Sequence, residues 1–595
     1  MAGKREEPGK PGGDAAAIFA EAMRQFQAGN KEEAERQMSR AAKLDPKNPR
    51  AWFSLGEMQQ ARGRLEQAAA SYKKAVDLDP KLAPAHNNLA MVLHALGKPE
   101  EALASVERAL AVEPGFALAQ NMRGIVLQTL GRSGEAEASL RRAIGLDPKL
   151  ALAHNNLGTA LMAQGRASEA KDVYRQALAL QPGYLMARSN LLMCLQYDPE
   201  ISPGELFREH GEYGKRVAAL PKPPEYKNSR EASRRLRIGY VSSDLRRHPV
   251  GYFLAPVLAH HDGENFEAVC YYGHAQEDEV TASLKRGAKL WRSTLGLGDR
   301  DLAALIRQDG IDILVDLAGH TALNRLPVFA LKPAPVQASW AGYTGTTGMA
   351  AIDYLITDPW ENPEGSEAYA VEKLARLPDD YVCYAPPDYA PDVGPLPVLA
   401  TGDVTFGCFN NLAKINGKAI ALWTELLRAL PGSRLLLKNK ELREEPARER
   451  IAAAFAAAGV ADGRVILEGP SPHRQFLERY NGVDIALDPF PYSGGLTTLE
   501  ALWMGVPVVT LGGATFAARH SLSHLNVAGL GELVARDKAD YIAIALGLAR
   551  DRERLAKLRA GMRARMLASP VTQAERFTRN LESAFRAMWR TWCGQ

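Results

Sequence analysis

The stretch LDPFPYSGGLTTLEALWMGVPVVT, from Leu487 to Thr510, joins two apolar runs through a loop of aromatics, prolines and glycines and a helical segment. The loop ends in Gly494 and Gly495 immediately before the helix, so bare backbone amides lie at a helix N-terminus. Helix N-termini of this kind bind anions, and phosphate groups in particular. The stretch therefore predicts a strand, a loop, a helix and a second strand, with a negatively charged ligand at the start of the helix.

Short apolar runs rich in β-branched residues recur from Leu236 to the end of the chain. The first series is LRIGYVSSD, EAVCYYGH, DILVDL, VQASWAGY and DYLITD, and the second is VTFGCFN, RLLLKNK, RVILEG, DIALDPF and VPVVTL. Alternation of such runs with helical stretches is typical of a parallel sheet covered by helices on both faces. Because a proline-rich stretch separates the two series, we predict two doubly wound, Rossmann-like domains with a cleft between them.

Ligands of such sheets bind at the carboxyl ends of the strands, where the second series carries polar groups. VTFGCFNNLAKIN ends in Asn411 and Lys414. Lys414 is either a point charge for a phosphate or a solvated loop lysine. Thr497 and Thr498 add hydroxyls at the helix start, and Glu500 either accepts hydrogen bonds from a ribose diol or compensates the helix dipole. Together these groups predict a nucleoside diphosphate site, whereas no P-loop or G-x-G-x-x-G pattern is present.

The first series contributes candidates for the opposite wall of the cleft. His248 follows the first strand, in GYVSSDLRRHPVGYF, and is either an acid or base group or a structural histidine. His320 in DLAGHT, and Gly342 and Tyr343 in WAGYTGTTG, follow later strands of the same series. We expect these residues to line the wall of the cleft.

A 34-residue repeat occupies the first third of the chain. Its three registers are Pro46, Pro80, Pro114, Pro148 and Pro182; Gly29, Gly63, Gly97, Gly131 and Gly165; and Ala34, Ala68, Ala102, Ala136 and Ala170. Each unit is predicted to be a helix, a glycine turn, a second helix and a proline stop. This is the tetratricopeptide pattern, which stacks into a superhelix with a concave face.

The concave face of the repeats is predicted to bind an extended peptide or a partner protein. Asn88, Asn156 and Asn190 occupy equivalent sites, where an amide can pair with an extended backbone. Met122 interrupts this row. The alternatives are a spacer or a surface for self-association, which would make a homodimer.

Composition excludes several classes of protein. With 46% hydrophobic residues, 24% charged residues and a net charge of +4, the chain suggests neither nucleic acid nor an anionic membrane as a partner. The five scattered cysteines have no metal-binding spacing and are interpreted as buried thiols of a reducing compartment. No targeting segment and no apolar run of membrane-spanning length is present, so we expect a cytoplasmic protein.

Residues 236 to about 590, together with the repeats, resemble the protein O-GlcNAc transferase and SPINDLY family of glycosyltransferases. The resemblance rests on GYVSSD with His248, DILVDLAGHT, PAPVQASWAGY, FGCFNNLAKI, the Leu487–Thr510 stretch and the closing LASPV and RFTRNLESAFRAMW. It implies the GT-B fold, and transfer of a sugar from a nucleotide-sugar to a serine or threonine hydroxyl with inversion. It also implies that no metal or other cofactor takes part.

The resemblance further implies roles for individual residues. Lys414 matches the lysine that neutralises the leaving diphosphate, and Asn411 matches an amide near it. The segment with Gly495, Thr497 and Thr498 holds the diphosphate, and Glu500 lies at the ribose. Phe476 and Arg479 of PSPHRQFLERY belong beside the nucleotide. His248 matches a histidine near the sugar and the acceptor and is a candidate general base.

Departures from the family pattern leave the donor open. Leu496 and Phe476 stand where animal O-GlcNAc transferases have histidines, and Thr344 replaces a proline. FNNLAKI and FPYSGG are closer to the SPINDLY branch, whose plant member resembles a fucosyl donor user. The expected donor is UDP-GlcNAc, with GDP-fucose or another hexose donor as alternatives. The rival interpretation is a repeat scaffold with a degenerate sugar-nucleotide fold, which binds and does not catalyse.

The predicted domain boundaries follow from these patterns. They are a disordered tail over 1–16, the repeats over 17–200, a connecting helix and linker over 201–235, and the two Rossmann-like domains over 236–395 and 396–595. Ser202, Pro203 and Glu205 are predicted to cap the connecting helix.

Overall fold

The computed structural model describes residues 11–217 and 225–594, without the side chains of residues 11–13. The chain divides into two compact units. The first comprises the residues up to Ala160 with Leu295–Leu297, and the second comprises Leu161–Thr294 and the residues from Gly298 onward. No helix within the described ranges combines the length and the apolar character needed to cross a bilayer.

The first unit is a stack of antiparallel helix pairs. Its helices are α1 (Pro11–Gln27), α2 (Lys31–Leu44), α3 (Pro49–Ala61), α4 (Leu65–Leu78), α5 (Ala83–Ala95), α6 (Pro99–Val112), α7 (Ala117–Thr129), α8 (Ser133–Leu146) and α9 (Ala151–Ala163), the last of which crosses the unit boundary. The predicted glycine turns are confirmed, because every repeat glycine adopts a positive φ. The repeat alanines are fully buried, since a small side chain lets paired helices approach closely.

The predicted disordered tail is corrected in part. Residues 1–10 lie outside the described residues, but α1 already begins at Pro11. Asp14 in the first turn and the alanines that follow it favour a helix, which explains the early start.

Three helices precede the first sheet in the second unit: α10 (Ala167–Leu180), α11 (Leu185–Leu195) and α12 (Pro203–Arg216). The predicted cap of α12 is confirmed as a capping box, in which Ser202 and Glu205 satisfy each other's backbone amides. The compact unit therefore begins inside the predicted repeat region. Residues 218–224 of the predicted linker lie outside the described residues.

The first α/β domain has a parallel sheet in the order β3-β2-β1-β4-β5-β6-β7. Its strands are β1 (Leu236–Ser242), β2 (Phe266–Tyr272), β3 (Leu290–Ser293), β4 (Ile313–Asp316), β5 (Val336–Ser339), β6 (Tyr354–Thr357) and β7 (Lys373–Arg376). Its helices are α13 (Pro249–His260), α14 (Glu279–Gly287), α15 (Asp299–Gln308) and α16 (Leu326–Ala330).

The second α/β domain has a parallel sheet in the order β10-β9-β8-β11-β12-β13. Its strands are β8 (Thr405–Cys408), β9 (Arg434–Lys438), β10 (Val465–Glu468), β11 (Ile485–Leu487), β12 (Val508–Leu511) and β13 (Val534–Ala535). The helices from here to the C-terminus are α17 (Val398–Thr401), α18 (Gly417–Ala429), α19 (Glu445–Ala457), α20 (His473–Arg479), α21 (Leu496–Trp503), α22 (His520–Val527), α23 (Lys538–Arg550), α24 (Arg552–Ala568) and α25 (Ala574–Cys593). Two doubly wound domains are thus confirmed.

The last helix belongs to the first α/β domain, which corrects the predicted boundary of 396–595. Phe577, Leu581 and Phe585 of α25 are buried in the core that β1 and β4 form. The ring of Phe577 stacks on Trp340 at 6.0 Å. One face of α25 is strongly apolar, and this face packs against the first sheet.

Helix α12 packs directly on the loop that follows β5. A Cβ atom on Gly214 would overlap the carbonyl oxygen of Gly348, and a Cβ atom on Gly348 would overlap that of His210. Gly348 also has a φ of +73°, which favours glycine. The two backbones therefore touch only because both positions lack a side chain.

This contact predicts unequal effects of alanine at two glycines of α12. Gly214→Ala should lower the stability of the second unit by about 1–3 kcal/mol, because it overpacks the contact. Gly211→Ala should be neutral or stabilise by about 0.5–1 kcal/mol, because nothing lies within 4 Å of its added Cβ and alanine favours a helix. Calorimetric Tm values of the two variants test this expectation, and equal Tm values would contradict it.

Candidate active site

Lys414 lies between the carboxyl ends of β8 and β11, where the strand order of the second sheet reverses. Its half-buried ammonium donates to the Ser493 carbonyl oxygen at 2.6 Å and to Asn410 Oδ1 at 3.3 Å. It also lies 4.1 Å from the centre of the Tyr492 ring. Burial lowers the pKa of Lys414 to about 8, and the nearby Asp488 carboxylate opposes that shift. Reversal points of this kind are where open α/β sheets bind ligands.

The loop after β11 is shaped by Asp488. Its buried carboxylate accepts the Gly494 amide at 2.7 Å and the Thr510 hydroxyl at 2.6 Å. A Cβ atom on Gly494 would overlap Thr498 Oγ1, whereas nothing lies within 4 Å of a Cβ on Gly495. The N-terminus of α21 is therefore open at Gly495, as an anion site requires.

The two threonines of α21 have different environments. Thr497 Oγ1 donates to Asn410 Oδ1 at 3.0 Å, so it shares a partner with Lys414. Thr498 is 2% exposed, and its hydroxyl pairs with Ser521 Oγ at 2.7 Å. The prediction for the Thr498 hydroxyl is therefore corrected: it is buried and holds α21 against α22.

Asn411 and Arg479 are engaged by the protein itself. Asn411 Oδ1 accepts the Ala413 amide at 2.9 Å and caps the turn that carries Lys414, so it shapes this turn. Arg479 pairs with Glu468 at the end of β10, at 2.9 Å. The structure thus gives Arg479 a partner other than a nucleotide.

An aromatic wall lies beside the start of α20. Phe476 packs against Phe409 and Tyr480, with ring centres 5.3 and 5.9 Å apart. Glu500, only 3% exposed, pairs with His473 Nε2 at 2.7 Å. Burial raises the pKa of Glu500, and His473 opposes that shift.

Of the first-domain candidates with a polar side chain, His248 alone is partly exposed. It is the N-cap of α13, its Nδ1 accepts the Val250 amide at 3.3 Å, and Asp244 lies 3.9 Å away. Burial lowers the pKa of His248, and Asp244 opposes that shift. The imidazole is therefore neutral at pH 7 and able to accept a proton.

His320 and Tyr343 lie beneath α11 and α12, which corrects their predicted place in the cleft wall. His320 Nδ1 meets Ser189 Oγ at 3.0 Å, and its Nε2 meets the Thr347 carbonyl at 2.9 Å. The Tyr343 hydroxyl accepts from Gln196 at 2.9 Å and meets His210 Nε2 at 2.7 Å. Both side chains are buried, because the connecting helices cover the ends of β4 and β5.

Gly342 lies in the same covered region. A Cβ atom on it would overlap the Leu317 carbonyl. Its lack of a side chain is thus needed for packing of the loop after β5 against the end of β4.

The repeat asparagines are tied to neighbouring amides. Asn156 Nδ2 donates to Asn121 Oδ1 at 2.8 Å, and Asn88 Oδ1 accepts from Asn87 at 3.3 Å. Asn121 therefore provides a side-chain amide next to Met122, the position at which the row of asparagines is interrupted. Asn190, on α11, is half-buried and has a partner of its own.

Sequence reasoning missed Asp488, Tyr492, Ser493 and His473. Asp488 had a signal, because it follows an apolar run directly in IALDPF. Tyr492 and Ser493 act through a ring face and a backbone carbonyl, which no residue pattern reveals. His473 is one polar residue at the start of a helix, and nothing in the sequence distinguishes it.

Two family profiles match the chain. That of glycosyl transferase family 41 matches residues 209–385 and 397–581, and that of the tetratricopeptide repeat matches 19–83, 87–151 and 122–185. The catalytic unit and the repeats are thereby recognised separately.

Two curated plant relatives match a large part of the chain. A SPINDLY protein of Oryza sativa subsp. japonica, described as a probable UDP-N-acetylglucosamine–peptide N-acetylglucosaminyltransferase, is 43% identical over 410 residues, covering 68% of this chain and 44% of the relative. The SEC protein of Arabidopsis thaliana, described in the same words, is 33% identical over 374 residues, covering 60% and 38%. The chain thus spans less than half the length of these relatives.

One solved structure matches almost throughout. A mutant of the Thermobaculum terrenum O-GlcNAc transferase superposes with a TM-score of 0.83 at 40% identity, covering 86% of this chain and 98% of that one. The fold is therefore a tetratricopeptide superhelix followed by a GT-B pair of Rossmann-like domains.

Proposed function

The chain belongs to glycosyl transferase family 41, and on that premise we propose that it is an inverting protein O-glycosyltransferase. It transfers a sugar, GlcNAc in the first instance, from a nucleoside diphosphate sugar to serine or threonine hydroxyls of proteins. The observation that carries this proposal is the place of Lys414, between two strand ends and beside the open N-terminus of α21.

The chemistry needs a site for the leaving diphosphate. Breaking the anomeric bond builds negative charge on that group, and a fixed ammonium with a helix N-terminus stabilises it most in a site shielded from water. Lys414 is held in place by Ser493 and Asn410, which are groups of the protein itself, so little reorganisation is needed. Thr497 extends the same network.

His248 is proposed as the group that receives the proton of the acceptor hydroxyl. It stands at the start of α13, half-exposed and with a lowered pKa, so it is a neutral acceptor at pH 7. An acceptor peptide ordered in the cleft would present its hydroxyl to the anomeric carbon at attack distance.

The repeats are proposed to select protein acceptors. Their row of asparagines includes Asn88, which pairs with Asn87, and Asn156, which pairs with Asn121, and such amides can also pair with an extended backbone. Self-association of two chains through the repeats is the other use that such a surface supports.

The donor is proposed to be UDP-GlcNAc, in line with the descriptions of the SPINDLY and SEC relatives. GDP-fucose remains the second candidate, because Phe476 stacks on either base without choosing between them. UDP at 100 times its dissociation constant should stabilise the protein by about 2.7 kcal/mol, which is a Tm shift of a few degrees.

Thermal-shift titration of the purified protein with UDP, GDP and ADP tests the donor. ADP is the matched control, because it carries the same diphosphate on a different base. Stabilisation by GDP alone would transfer the proposal to GDP-fucose. Equal shifts with all three nucleotides would show that the site does not recognise the base and would contradict the donor assignment. Stabilisation by none of them would support the non-catalytic scaffold instead.

A further inference from the structure

A relay of three side chains runs from the linker between the α/β domains to α21. The Tyr389 hydroxyl meets His473 Nδ1 at 2.8 Å, and His473 Nε2 meets Glu500 Oε1 at 2.7 Å. The ring of His473 also stacks on Tyr252 of α13, with centres 5.9 Å apart and planes inclined by 22°. His473 is therefore fixed on both nitrogens and on one face.

The direction of the hydrogen bonds follows from the chemistry of the groups. An ionised carboxylate only accepts, so His473 Nε2 carries the hydrogen that reaches Glu500. This holds for the neutral ring, with Tyr389 donating to Nδ1, and for the doubly protonated ring. In either form His473 donates to one carboxylate oxygen.

The second carboxylate oxygen of Glu500 is left for another donor. Within the described ranges His473 is the hydrogen-bond partner of this side chain, and it reaches Oε1 alone. That second oxygen is not one of the fully enclosed unpaired atoms of the described residues, so a ligand can reach it, and a carboxylate oxygen accepts more than one hydrogen bond. Adjacent hydroxyls of a ribose supply the type of donor that is missing.

We propose that His473 is a positioning residue for the donor substrate: with Tyr389 it holds the Glu500 carboxylate so that its second oxygen accepts hydrogen bonds from the ribose hydroxyls. This inference rests on the proposed function. Tyr252 links the same relay to the first α/β domain, because it lies one turn after His248 on α13. The relay thus connects the helix that carries the candidate base to the ribose end of the nucleotide site.

If the relay holds Glu500 at the ribose, the protein should bind a ribonucleotide more tightly than the matching deoxyribonucleotide. The ratio of these two affinities is the measurement that tests the proposal. Hydrogen bonds to a charged group contribute about 1.5–3 kcal/mol, which is about tenfold to hundredfold in affinity. The wild-type protein should therefore bind UDP at least about tenfold more tightly than 2′-deoxy-UDP. GDP and 2′-deoxy-GDP replace this pair if GDP is the nucleotide that binds.

Two substitutions of His473 separate its hydrogen bonds from its packing. His473→Phe keeps the ring that stacks on Tyr252 and removes both hydrogen bonds, so the ratio of the two dissociation constants should fall toward one. His473→Gln keeps a donor for Glu500 and should retain most of the ratio. Tyr389→Phe deletes one hydroxyl without a change of shape and should lower the ratio partially.

Calorimetric titration of the full chain measures these ratios, with His94→Phe in the repeats as the matched control. A wild-type protein that binds neither UDP nor GDP would overturn the proposed function and this inference with it. A wild-type protein that discriminates, together with an unchanged ratio in His473→Phe, would overturn the inference alone. Equal loss of affinity for both nucleotides in His473→Phe would assign His473 to packing and would also contradict it.

Discussion

Replacing Lys414 with alanine is expected to lower kcat by about 10²–10³-fold and to change the donor KM much less. Negative charge on the diphosphate grows as the anomeric bond breaks, so the ammonium stabilises the transition state more than the bound donor. The structure supports this expectation, because hydrogen bonds to Ser493 and Asn410 fix the position of the ammonium. Steady-state kinetics with a short acceptor peptide measure the effect.

The pH profile gives a second signature of the same lysine. A lysine is charged below its pKa, and that of Lys414 is lowered to about 8 by burial. The kcat/KM of the wild-type protein should therefore fall as the pH rises through about 8, since this constant reports the free enzyme. The residual activity of Lys414→Ala should lack this limb.

Lys418→Ala is the matched control for both measurements. Lys418 lies four residues further along, in the first turn of α18, and pairs with the exposed Glu200, so its loss should cost less than about 1 kcal/mol. Near-normal turnover of Lys414→Ala would remove the central assignment of the site. Equal losses of kcat in Lys414→Ala and Lys418→Ala would mean that any nearby positive charge has the same effect.

The sequence was sufficient for the elements whose pattern is local. The repeat registers predicted both the glycine turns and the proline stops, because each depends on one residue type at one position. The long apolar runs predicted the central strands of both sheets. The edge strands β3, β7 and β13 were missed, since their partly exposed residues form no continuous apolar run.

The wrong predictions share one physical cause, because the sequence does not show which element covers a given buried residue. His320 and Tyr343 do follow strand ends, as predicted, but α11 and α12 cover them there. The apolar face of α25 was evident, yet nothing in its own residues indicates that the first sheet is its partner. Asp488 and Thr498 likewise take their roles from partners far along the chain. Periodicity identifies a buried face but not the surface that buries it.

The place where the chain can be cut depends on that covering role. A boundary near residue 230 looks acceptable from the sequence, because the repeats end well before it. Removal of α11 and α12, however, would strip Ser189 from His320 and His210 from Tyr343. It would also remove Tyr213, a fully buried ring of the core beside β4, and a loss of that size costs about 3–5 kcal/mol.

A chain that begins at Ala151 is therefore expected to fold and to transfer sugar to a short peptide, whereas one that begins at residue 230 should be unstable. The start at Ala151 keeps α9 whole and retains the entire second unit. If the repeats select acceptors, this shorter chain should lose activity on whole proteins and keep it on peptides. Tm values and activities on both substrates distinguish the possibilities. A residue-230 chain with the Tm of the Ala151 chain would refute the covering role of α11 and α12, and equal loss on both acceptors would refute acceptor selection by the repeats.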